Sequence, residues 1–239
     1  MLQVEGRNPV HELLQKGKAV RVLVARESRD DPRVQEIMRL AGRLKTPVEV
    51  TERSGLDKLS ETGRHQGVIA FVEAERYVPI RRILDAEEPC VLILDRVQDP
   101  MNLGSILRTA EATEVSGVVI PKRGGVGLTP TVLRASMGGG LNVPVAQGSL
   151  FQAVKLLKEA GVKVVGVDPS GTTEYFDERL TGVLALVLGG EGRGISPTLL
   201  SKCDSVVRIP MRGQITSLNV GVAAAVVLYE RMRQRRSPG

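Results

Sequence analysis

Aromatic residues, cysteine and histidine are scarce in this sequence. Its 239 residues include no tryptophan, three tyrosines and three phenylalanines, and they contain no motif that would stack RNA bases on a sheet. The two cysteines, Cys90 and Cys203, cannot form a disulfide framework and belong to no CxxC pair. The two histidines, His11 and His65, do not form an HExxH motif. We therefore expect neither a disulfide scaffold nor a metal enzyme.

Long apolar segments are also absent. No stretch approaches the roughly 20 apolar residues of a membrane helix. The opening residues, MLQVEG, lack the basic start and apolar middle of a signal peptide. Hydrophobic residues still make up 42% of the chain and charged residues 25%, which is typical of globular domains and excludes a largely disordered chain. We expect a cytoplasmic protein that does not enter a membrane.

The chain carries an excess of positive charge. Lys and Arg number 33 against 27 Asp and Glu, a formal net charge of +6, and most of the excess lies in residues 89–239. A positive field attracts polyanions, so nucleic acid is a candidate partner. A basic, solvated surface is the alternative. The same two alternatives apply to the arginine-rich tail, residues 231–236, whose charges could also stabilise the end of the last helix.

The first 75 residues have the pattern of a small α/β domain. Asn8 and Pro9 predict the start of a helix that ends at Gln15. Asp31 and Pro32 predict a second helix, whose apolar face consists of Val34, Ile37, Met38 and Leu44. Strands are predicted at residues 20–24, 48–50 and 68–72, and a short third helix at 55–61. Strands that alternate with helices indicate a layered domain over residues 1–75.

A second α/β pattern follows a charged segment. We interpret residues 76–88 as a linker and residues 89–239 as a second domain. Short, continuously apolar strands of the parallel-sheet type are predicted at residues 91–94, 118–120, 162–167 and 183–188. Helices are predicted at residues 102–113, 150–160 and 219–235.

The standard nucleotide-binding motifs are missing. There is no GxxxxGK[ST] sequence, which excludes a P-loop. Residues 190–195, GEGRGI, follow a strand, but their third glycine comes one place too early for a dinucleotide fingerprint. A nucleotide-binding oxidoreductase is therefore disfavoured.

Three loops that follow strands carry the polar residues suited to chemistry. The first contains Asn102 and Arg108, the second contains four glycines and Glu191 in residues 189–194, and the third contains Ser217 and Asn219. Ligands bind at the carboxyl edge of open α/β sheets, so these loops predict a site there. The alternatives are structural: Asn102 and Ser217 as helix caps, Arg108 as a surface residue, and Glu191 as an ion-pair partner of Arg193.

The same three loops resemble the signature motifs of the SpoU/TrmH family of RNA ribose 2′-O-methyltransferases, in the SPOUT superfamily. The motifs are NLGSILR at 102–108, LGGEGRG at 188–194, and IPMRG at 209–213 with SLNV at 217–220. They occur in order, and the resemblance covers residues 89–230. The N-terminal sequences GRNPV at 6–10 and HQGV at 65–68 are similar to the substrate-binding domain of the RlmB-type members, which modify a guanosine in large-subunit (23S) ribosomal RNA.

The resemblance implies a fold and a cofactor. The fold is a small N-terminal α/β substrate-binding domain followed by a C-terminal α/β domain with a parallel sheet and a trefoil knot. The cofactor is S-adenosyl-L-methionine, held mainly through backbone groups at Gly189, Gly190, Ile209 and Leu218. No metal is implied.

The resemblance also implies catalytic positions and partners. These positions are Asn102, Arg108, Glu191, Ser217 and Asn219. Arg108 is implicated in activating the 2′-hydroxyl, yet a guanidinium stays protonated. We therefore expect it to orient the ribose–phosphate and to stabilise the developing alkoxide. The partners implied are large-subunit ribosomal RNA and a second copy of the chain, a homodimer whose site is completed across the interface.

Two departures from the family pattern bear on the substrate. Residues 134–140, RASMGGG, are richer in glycine than the RlmB-type pattern, and Gly221 stands where serine is common. The same chemistry on a transfer RNA or on another ribosomal RNA nucleotide is therefore an alternative. A non-catalytic RNA-binding protein of the same fold is another, although it would need none of Asn102, Arg108 and Glu191.

Overall fold

The chain forms two sheets, each covered by helices. We describe residues 1–73, 77–192 and 194–236 of a computed structural model. The predicted boundary between residues 75 and 76 and the predicted role of Arg193 lie outside these residues. Among the described residues, no helix is both long enough and apolar enough to span a bilayer.

The N-terminal sheet has four strands in the order β1-β4-β2-β3. β2 pairs with β3 in parallel and with β4 antiparallel, and β1 pairs with β4 antiparallel. The elements are β1 (Leu2–Glu5), α1 (Arg7–Gln15), β2 (Ala19–Ala25), a 3₁₀ turn (Arg26–Ser28), α2 (Pro32–Arg43), β3 (Val48–Thr51), α3 (Arg53–Leu59) and β4 (Val68–Val72).

Two predictions for this region need correction, and a third is confirmed. α1 begins at Arg7 after Gly6, so Asn8 lies inside the helix and is not its cap. α2 ends at Arg43, and Leu44 is exposed because it follows the helix and leaves the apolar face. Asp31 does cap α2, as predicted, by accepting hydrogen bonds from the backbone of Arg33 and Val34.

The second sheet has seven strands, all parallel, in the order β7-β6-β5-β10-β8-β11-β9. The elements are α4 (Ile80–Ile83), β5 (Cys90–Asp95), α5 (Pro100–Ala112), β6 (Gly117–Pro121), α6 (Pro130–Ala135), α7 (Gly139–Asn142), β7 (Val145–Gly148), α8 (Leu150–Glu159), β8 (Lys163–Val167), β9 (Thr173–Glu174), β10 (Leu184–Gly189), α9 (Pro197–Leu200), β11 (Ser205–Arg208) and α10 (Val220–Arg236).

The strands of the second sheet are buried on both faces. Along β5, Leu92 and Leu94 pack with α5 and α10, whereas Val91 and Ile93 pack with α8 on the opposite side. This explains the continuously apolar sequence, since each face of a parallel sheet needs its own apolar side chains. From β5 the chain runs outward to β6 and β7, then crosses to β8 on the other side of β5, and β10 later returns between β5 and β8. That topological switch is where open α/β sheets bind ligands.

The segment predicted as a linker is partly structured. It contains α4, and Ile83 is buried against the sheet, where its side chain occupies the space that a Cβ at Gly117 would need. The N-terminal and C-terminal domains also contact each other directly. Lys18 Nζ donates hydrogen bonds to the Leu141 carbonyl at 2.7 Å and to Asn142 Oδ1 at 3.0 Å.

The glycine-rich segment after α6 allows close packing under α5. A Cβ at Gly139 would lie 2.7 Å from the Leu107 carbonyl oxygen and 3.1 Å from the Cα of Arg108. Gly138 has φ of 87°, a conformation that favours glycine. The glycines therefore let α7 approach the backbone of α5 at Arg108.

Candidate active site

Three loops meet at the carboxyl edge of the second sheet. They follow β5, β10 and β11; strands were predicted at the positions of β5 and β10, whereas β11 was not predicted. The loop after β5 ends where Asp99 caps α5, accepting a hydrogen bond from Met101 N at 2.9 Å. The prediction that Asn102 caps this helix is therefore wrong, because Pro100 already occupies the first turn and Asn102 lies within it.

Asn102 connects the other two loops. Its Nδ2 donates to Glu191 Oε1 at 2.5 Å, and its Oδ1 accepts from Asn219 Nδ2 at 2.9 Å. Asn219 Oδ1 in turn accepts from the backbone N–H groups of Gly221 at 2.9 Å and Val222 at 3.3 Å. One network therefore joins the three loops, and Asn219 also caps α10.

The Glu191 carboxylate is stabilised in its ionised form. Burial raises the pKa of Glu191, but hydrogen bonds from Asn102 and from backbone N–H groups, including that of Gln98 at 3.3 Å, outweigh burial and hold the pKa below its usual range. Glu191 therefore accepts hydrogen bonds and does not supply a proton at neutral pH.

The glycines of the second loop permit two close backbone approaches. A Cβ at Gly189 would overlap the carbonyl of Gly194, and a Cβ at Gly190 would overlap the carbonyl of Arg96. Gly192 and Gly194 have φ of 77° and 62°, in the left-handed region. Glycine at these positions brings the loop after β10 into contact with the loop after β5.

A cavity of about 710 Å³ lies between the ends of β8 and β10, the loop after β11 and the start of α10. All four predicted cofactor residues line it: Gly189, Gly190, Ile209 and Leu218. So do Glu191, Ser217 and Asn219. The rest of the lining consists mainly of apolar side chains and backbone atoms. Its residues include Val167, Asp168, Leu188, Met211, Val220 and Ala223.

Ser217 and Arg108 are not part of the hydrogen-bond network. Ser217 is exposed at the cavity and caps no helix in the described part of the chain. Arg108 is exposed on α5, and no described side chain or carbonyl accepts a hydrogen bond from it. Arg108 follows Asn102 by six positions, which correspond to about 600° of helical rotation, so the two side chains point about 120° apart.

Two acidic residues of the site were not predicted from the sequence. Asp95 ends β5, and its buried side chain accepts a hydrogen bond from Ser196 N at 2.8 Å. Asp168 follows β8, lines the cavity and accepts from Ile195 N at 3.3 Å. Both hold the chain just after the glycine loop. Their position directly at the end of an apolar strand is the sequence signal that could have identified them.

Metal-ligating side chains do not cluster in the described ranges. No group of three or more His, Cys, Asp or Glu residues could hold a metal ion there. The polar groups of the site are amides, the carboxylates of Asp95, Asp168 and Glu191, a hydroxyl and backbone atoms.

Two family models match the chain. Residues 89–229 match the SpoU rRNA Methylase family, and residues 3–78 match the model described as RNA 2′-O ribose methyltransferase substrate binding. The protein YacO of Bacillus subtilis (strain 168), assigned by name to the TrmH family of tRNA/rRNA methyltransferases, is 39% identical over 242 residues, which cover 99% of this chain and 97% of YacO.

Solved structures have the same architecture. The SpoU methyltransferase AviRb from Streptomyces viridochromogenes, in complex with the cofactor AdoMet, superposes with a TM-score of 0.83 at 28% identity, covering 98% of this chain and 90% of AviRb. An AdoMet-bound rRNA methyltransferase from Sinorhizobium meliloti gives a TM-score of 0.80 at 27% identity, covering 98% and 87%.

The cavity fits S-adenosylmethionine, which these enzymes bind. It is large enough for a cofactor of that size, and its apolar side chains suit an adenine ring. Gly189 and Gly190 let the backbone of the neighbouring loops pack closely at one wall of the cavity. The match to the family model, the similarity to YacO over nearly the whole chain and the shared fold establish that the chain belongs to the SpoU/TrmH family of S-adenosylmethionine-dependent RNA methyltransferases.

Proposed function

We propose that the chain methylates a ribose 2′-hydroxyl, that of a guanosine in large-subunit (23S) ribosomal RNA. The substrate-binding model that matches residues 3–78 is described for RNA 2′-O ribose methyltransferases, and a structural neighbour is an rRNA methyltransferase. The observation that carries the proposal is the Glu191–Asn102–Asn219 network, because it holds three loops together at the edge of the cofactor cavity. The proposal includes a cytoplasmic location.

Gly189, Gly190, Ile209 and Leu218 would hold the cofactor. Their contribution is backbone hydrogen bonding and apolar contact, since none of them carries a polar side chain. When bound, S-adenosylmethionine supplies an activated methyl group on a sulfonium sulfur.

Arg108 would act on the RNA. Its exposed guanidinium has no acceptor among the described residues, so it is available to a ribose–phosphate. A guanidinium remains protonated at neutral pH, so Arg108 would orient the 2′-hydroxyl and stabilise the alkoxide that develops while water takes the hydroxyl proton.

The other four polar residues would organise the site. Asn102 and Glu191 would fix the loops after β5 and β10, and Asn219 would tie both to α10. Ser217 would contact the cofactor side of the cavity, which it lines. A network with fixed donors and acceptors lowers the cost of reorganisation during the reaction.

The two domains would have different functions. We assign RNA binding to residues 1–75, a linker to residues 76–88 and methyl transfer to residues 89–239. The strands of the first sheet fall within residues 2–72 and those of the second within residues 90–208, which supports this division.

The enzyme would work as a homodimer. α10 exposes Val222 and Tyr229, seven residues apart and so on one face of the helix, and Met101 is exposed on the neighbouring helix α5. A second copy would cover this apolar face. Because Arg108 points away from Asn102 on α5, we expect it to complete the site of the partner subunit.

Labelled S-adenosylmethionine and unmodified ribosomal and transfer RNA transcripts test the function, with ribose methylation mapped at nucleotide resolution. We expect one 2′-O-methylguanosine in 23S RNA. Arg108→Ala should lower kcat about 10²-fold or more without changing cofactor affinity. Lys155→Ala, which removes a charge from an exposed residue of α8, is the matched control and should keep full activity.

The outcomes separate the alternatives. Methylation of a transfer RNA would keep the chemistry and overturn the ribosomal substrate. Methylation of a base instead of a ribose would overturn the 2′-hydroxyl assignment. Cofactor binding with no transfer to any RNA or pre-ribosomal particle would favour the non-catalytic RNA-binding protein.

A further inference from the structure

A second, smaller cavity adjoins the cofactor cavity. Its volume is about 260 Å³, and it shares Gly190, Glu191 and Gly194 with the larger one. Asp95, Arg96, Gln98 and Gly124 form its other walls. The family motifs that identify the catalytic loops do not include Arg96, Gln98 or Gly124. This cavity therefore lies next to Glu191 but is formed by the loops after β5 and β6.

Arg96 is held in an unusual backbone conformation at this cavity. Its φ is 64°, in the left-handed region, where glycine would be less strained. The carbonyl of Arg96 lies against Gly190, so the crossing of the two loops holds the backbone in this conformation. A glycine would meet the backbone requirement, so the position carries a side chain for another reason.

A hydrogen bond orients the Arg96 side chain, but the side chain can still donate further hydrogen bonds. Its Nε donates to Asp95 Oδ1 at 3.2 Å, and its alkyl chain passes Gly124, where a Cβ would lie 3.6 Å from Cγ. Asp95 itself is buried, whereas the Arg96 side chain is 39% exposed. No described residue accepts a hydrogen bond from the two terminal nitrogens of Arg96. A positioned pair of donors is therefore presented to the cavity.

The opposite side of the cavity offers both acceptors and donors. Glu191 is an ionised carboxylate, and Gln98 contributes a side-chain amide whose Nε2 lies 3.5 Å from the Gly124 carbonyl, a weak bond that a ligand could replace. A phosphate needs donors only and would be repelled by Glu191 and Asp95. A nucleobase has both donors and acceptors on one edge and suits this mixture.

We propose that the small cavity receives the base of the nucleotide whose ribose is methylated, and that Arg96 recognises guanine there. Guanine presents two adjacent acceptors, O6 and N7, which match the bidentate geometry of arginine. Enzymes that do chemistry on a base take it out of the stack and into a pocket, and we extend this to the base attached to the reacting ribose. The inference rests on the proposed function, because the base must lie beside its own ribose and hence beside Glu191.

The test combines variants of the full-length protein with modified substrates. The target guanosine is replaced by 7-deazaguanosine, which lacks the N7 acceptor. We expect this change to lower kcat/KM of the unmodified protein about 10-fold. Arg96→Ala should lower kcat/KM on guanosine about 10- to 100-fold and should no longer distinguish the two substrates. Cofactor affinity, measured by calorimetry, should stay the same and shows that the variant is folded.

Two further variants separate base recognition from charge. Arg96→Lys keeps the charge but not the bidentate donors, so it should behave like Arg96→Ala. Arg123→Ala removes an exposed charge from the neighbouring loop and should keep the discrimination between guanosine and 7-deazaguanosine. Full activity of Arg96→Lys would overturn the inference in favour of a phosphate contact, as would equal losses for Arg96→Ala and Arg123→Ala.

Failure of the inference can be told from failure of the proposed function. If the unmodified protein methylates a guanosine ribose and Arg96→Ala retains the preference for N7, the inference is wrong and the function stands. If the unmodified protein methylates no ribose, both the proposed function and the inference that rests on it are wrong.

Discussion

Asn102 forms hydrogen bonds through both the nitrogen and the oxygen of its side-chain amide. It donates to Glu191 and accepts from Asn219, so an ionised aspartate, which only accepts, would face the Glu191 carboxylate without a proton between them. We predict that Asn102→Asp lowers kcat about 10²-fold at pH 8. Two adjacent carboxyl groups raise the pKa of one of them, so activity should partly recover as the pH falls and a shared proton restores the donor.

The pH profile of kcat checks this explanation. Asn102→Ala is the matched control, because it also breaks the network but introduces no titrating group. Its activity should not recover in acid. Equal profiles for the two variants would show that the loss comes from the missing hydrogen bond to Glu191 and not from charge repulsion.

Glu5 gives a separate prediction about stability. It is completely buried in β1 and accepts hydrogen bonds from Ser60 Oγ at 2.6 Å, Glu61 N at 2.8 Å, Gln3 Nε2 at 2.8 Å and the hydroxyl of Thr62. Burial raises the pKa of Glu5, but these hydrogen bonds outweigh burial and lower the pKa. The ionised carboxylate therefore stabilises the fold above its ordinary pKa of 4.5, and this contribution is lost as the pH falls through the lowered pKa.

We predict that Glu5→Gln lowers the free energy of unfolding by about 1–3 kcal/mol at pH 7. The difference from the unmodified protein should shrink as the pH falls below the ordinary carboxyl range, because the native side chain then becomes neutral as well. Urea unfolding at several pH values measures both quantities. A difference that stays constant with pH would mean that Glu5 acts through shape and not through its charge.

At the scale of elements, the position of α5 depends on small residues. A Cβ at Gly104 would overlap the Cβ of Ala135 in α6 and would lie 3.0 Å from the Val132 carbonyl. We predict that Gly104→Ala destabilises the protein by about 1–3 kcal/mol, since backbone atoms cannot yield to the added methyl group. Gly42→Ala in α2 is the control, because nothing lies within 4 Å of that Cβ. It should be neutral or stabilising by up to about 1 kcal/mol, and similar losses in both variants would contradict the packing explanation.

The sequence predicted the elements that carry a strong local signal. Val118 and its neighbours in β6 form a short apolar run that is typical of a strand buried on both faces, and the structure confirms the strand. Asp31 and Pro32 marked the start of α2 correctly. The strands β1, β7, β9 and β11, of two to four residues each, were not predicted because so few residues show little periodicity. β3 also has four residues, but its apolar residues Val48 and Val50 indicated a strand.

The same kind of local signal predicted part of the site. Loops that follow apolar strands can be found from the sequence, and they contain Glu191 and Asn219. The start of α5 was misplaced because two residues, Asp99 and Asn102, can both cap a helix. The contribution of Arg96 could not be predicted, because it depends on Gly190 crossing a loop that lies about 90 residues earlier in the chain.

At the scale of the molecule, the two domains are joined by more than the chain between them. α1 and α6 belong to one continuous apolar core, and Lys18 binds the end of α7. α7 in turn packs against the backbone of Arg108 through Gly139. A change in the N-terminal domain can therefore reach the helix that carries the catalytic arginine through direct contacts.

The dimer proposal places the residues of one site on two subunits, and mixing inactive variants tests it. Arg108→Ala and Glu191→Gln should each be inactive alone. If Arg108 serves the partner's Glu191, a mixed dimer has one site with both defects and one intact site. Random exchange of equal amounts should then restore about a quarter of full activity, because half of the dimers are mixed and each of these has one working site.

The apolar face of α10 provides the control for this experiment. Val222→Lys places a charge on that face, so we expect it to convert the dimer to a monomer in sedimentation measurements while cofactor binding remains. The same substitution in both inactive variants should abolish the recovered activity. If the mixed variants stay inactive although subunits exchange, Arg108 and Glu191 act within one subunit. In that case α5 would have to rotate to bring Arg108 toward the network, since its side chain lies about 120° from that of Asn102.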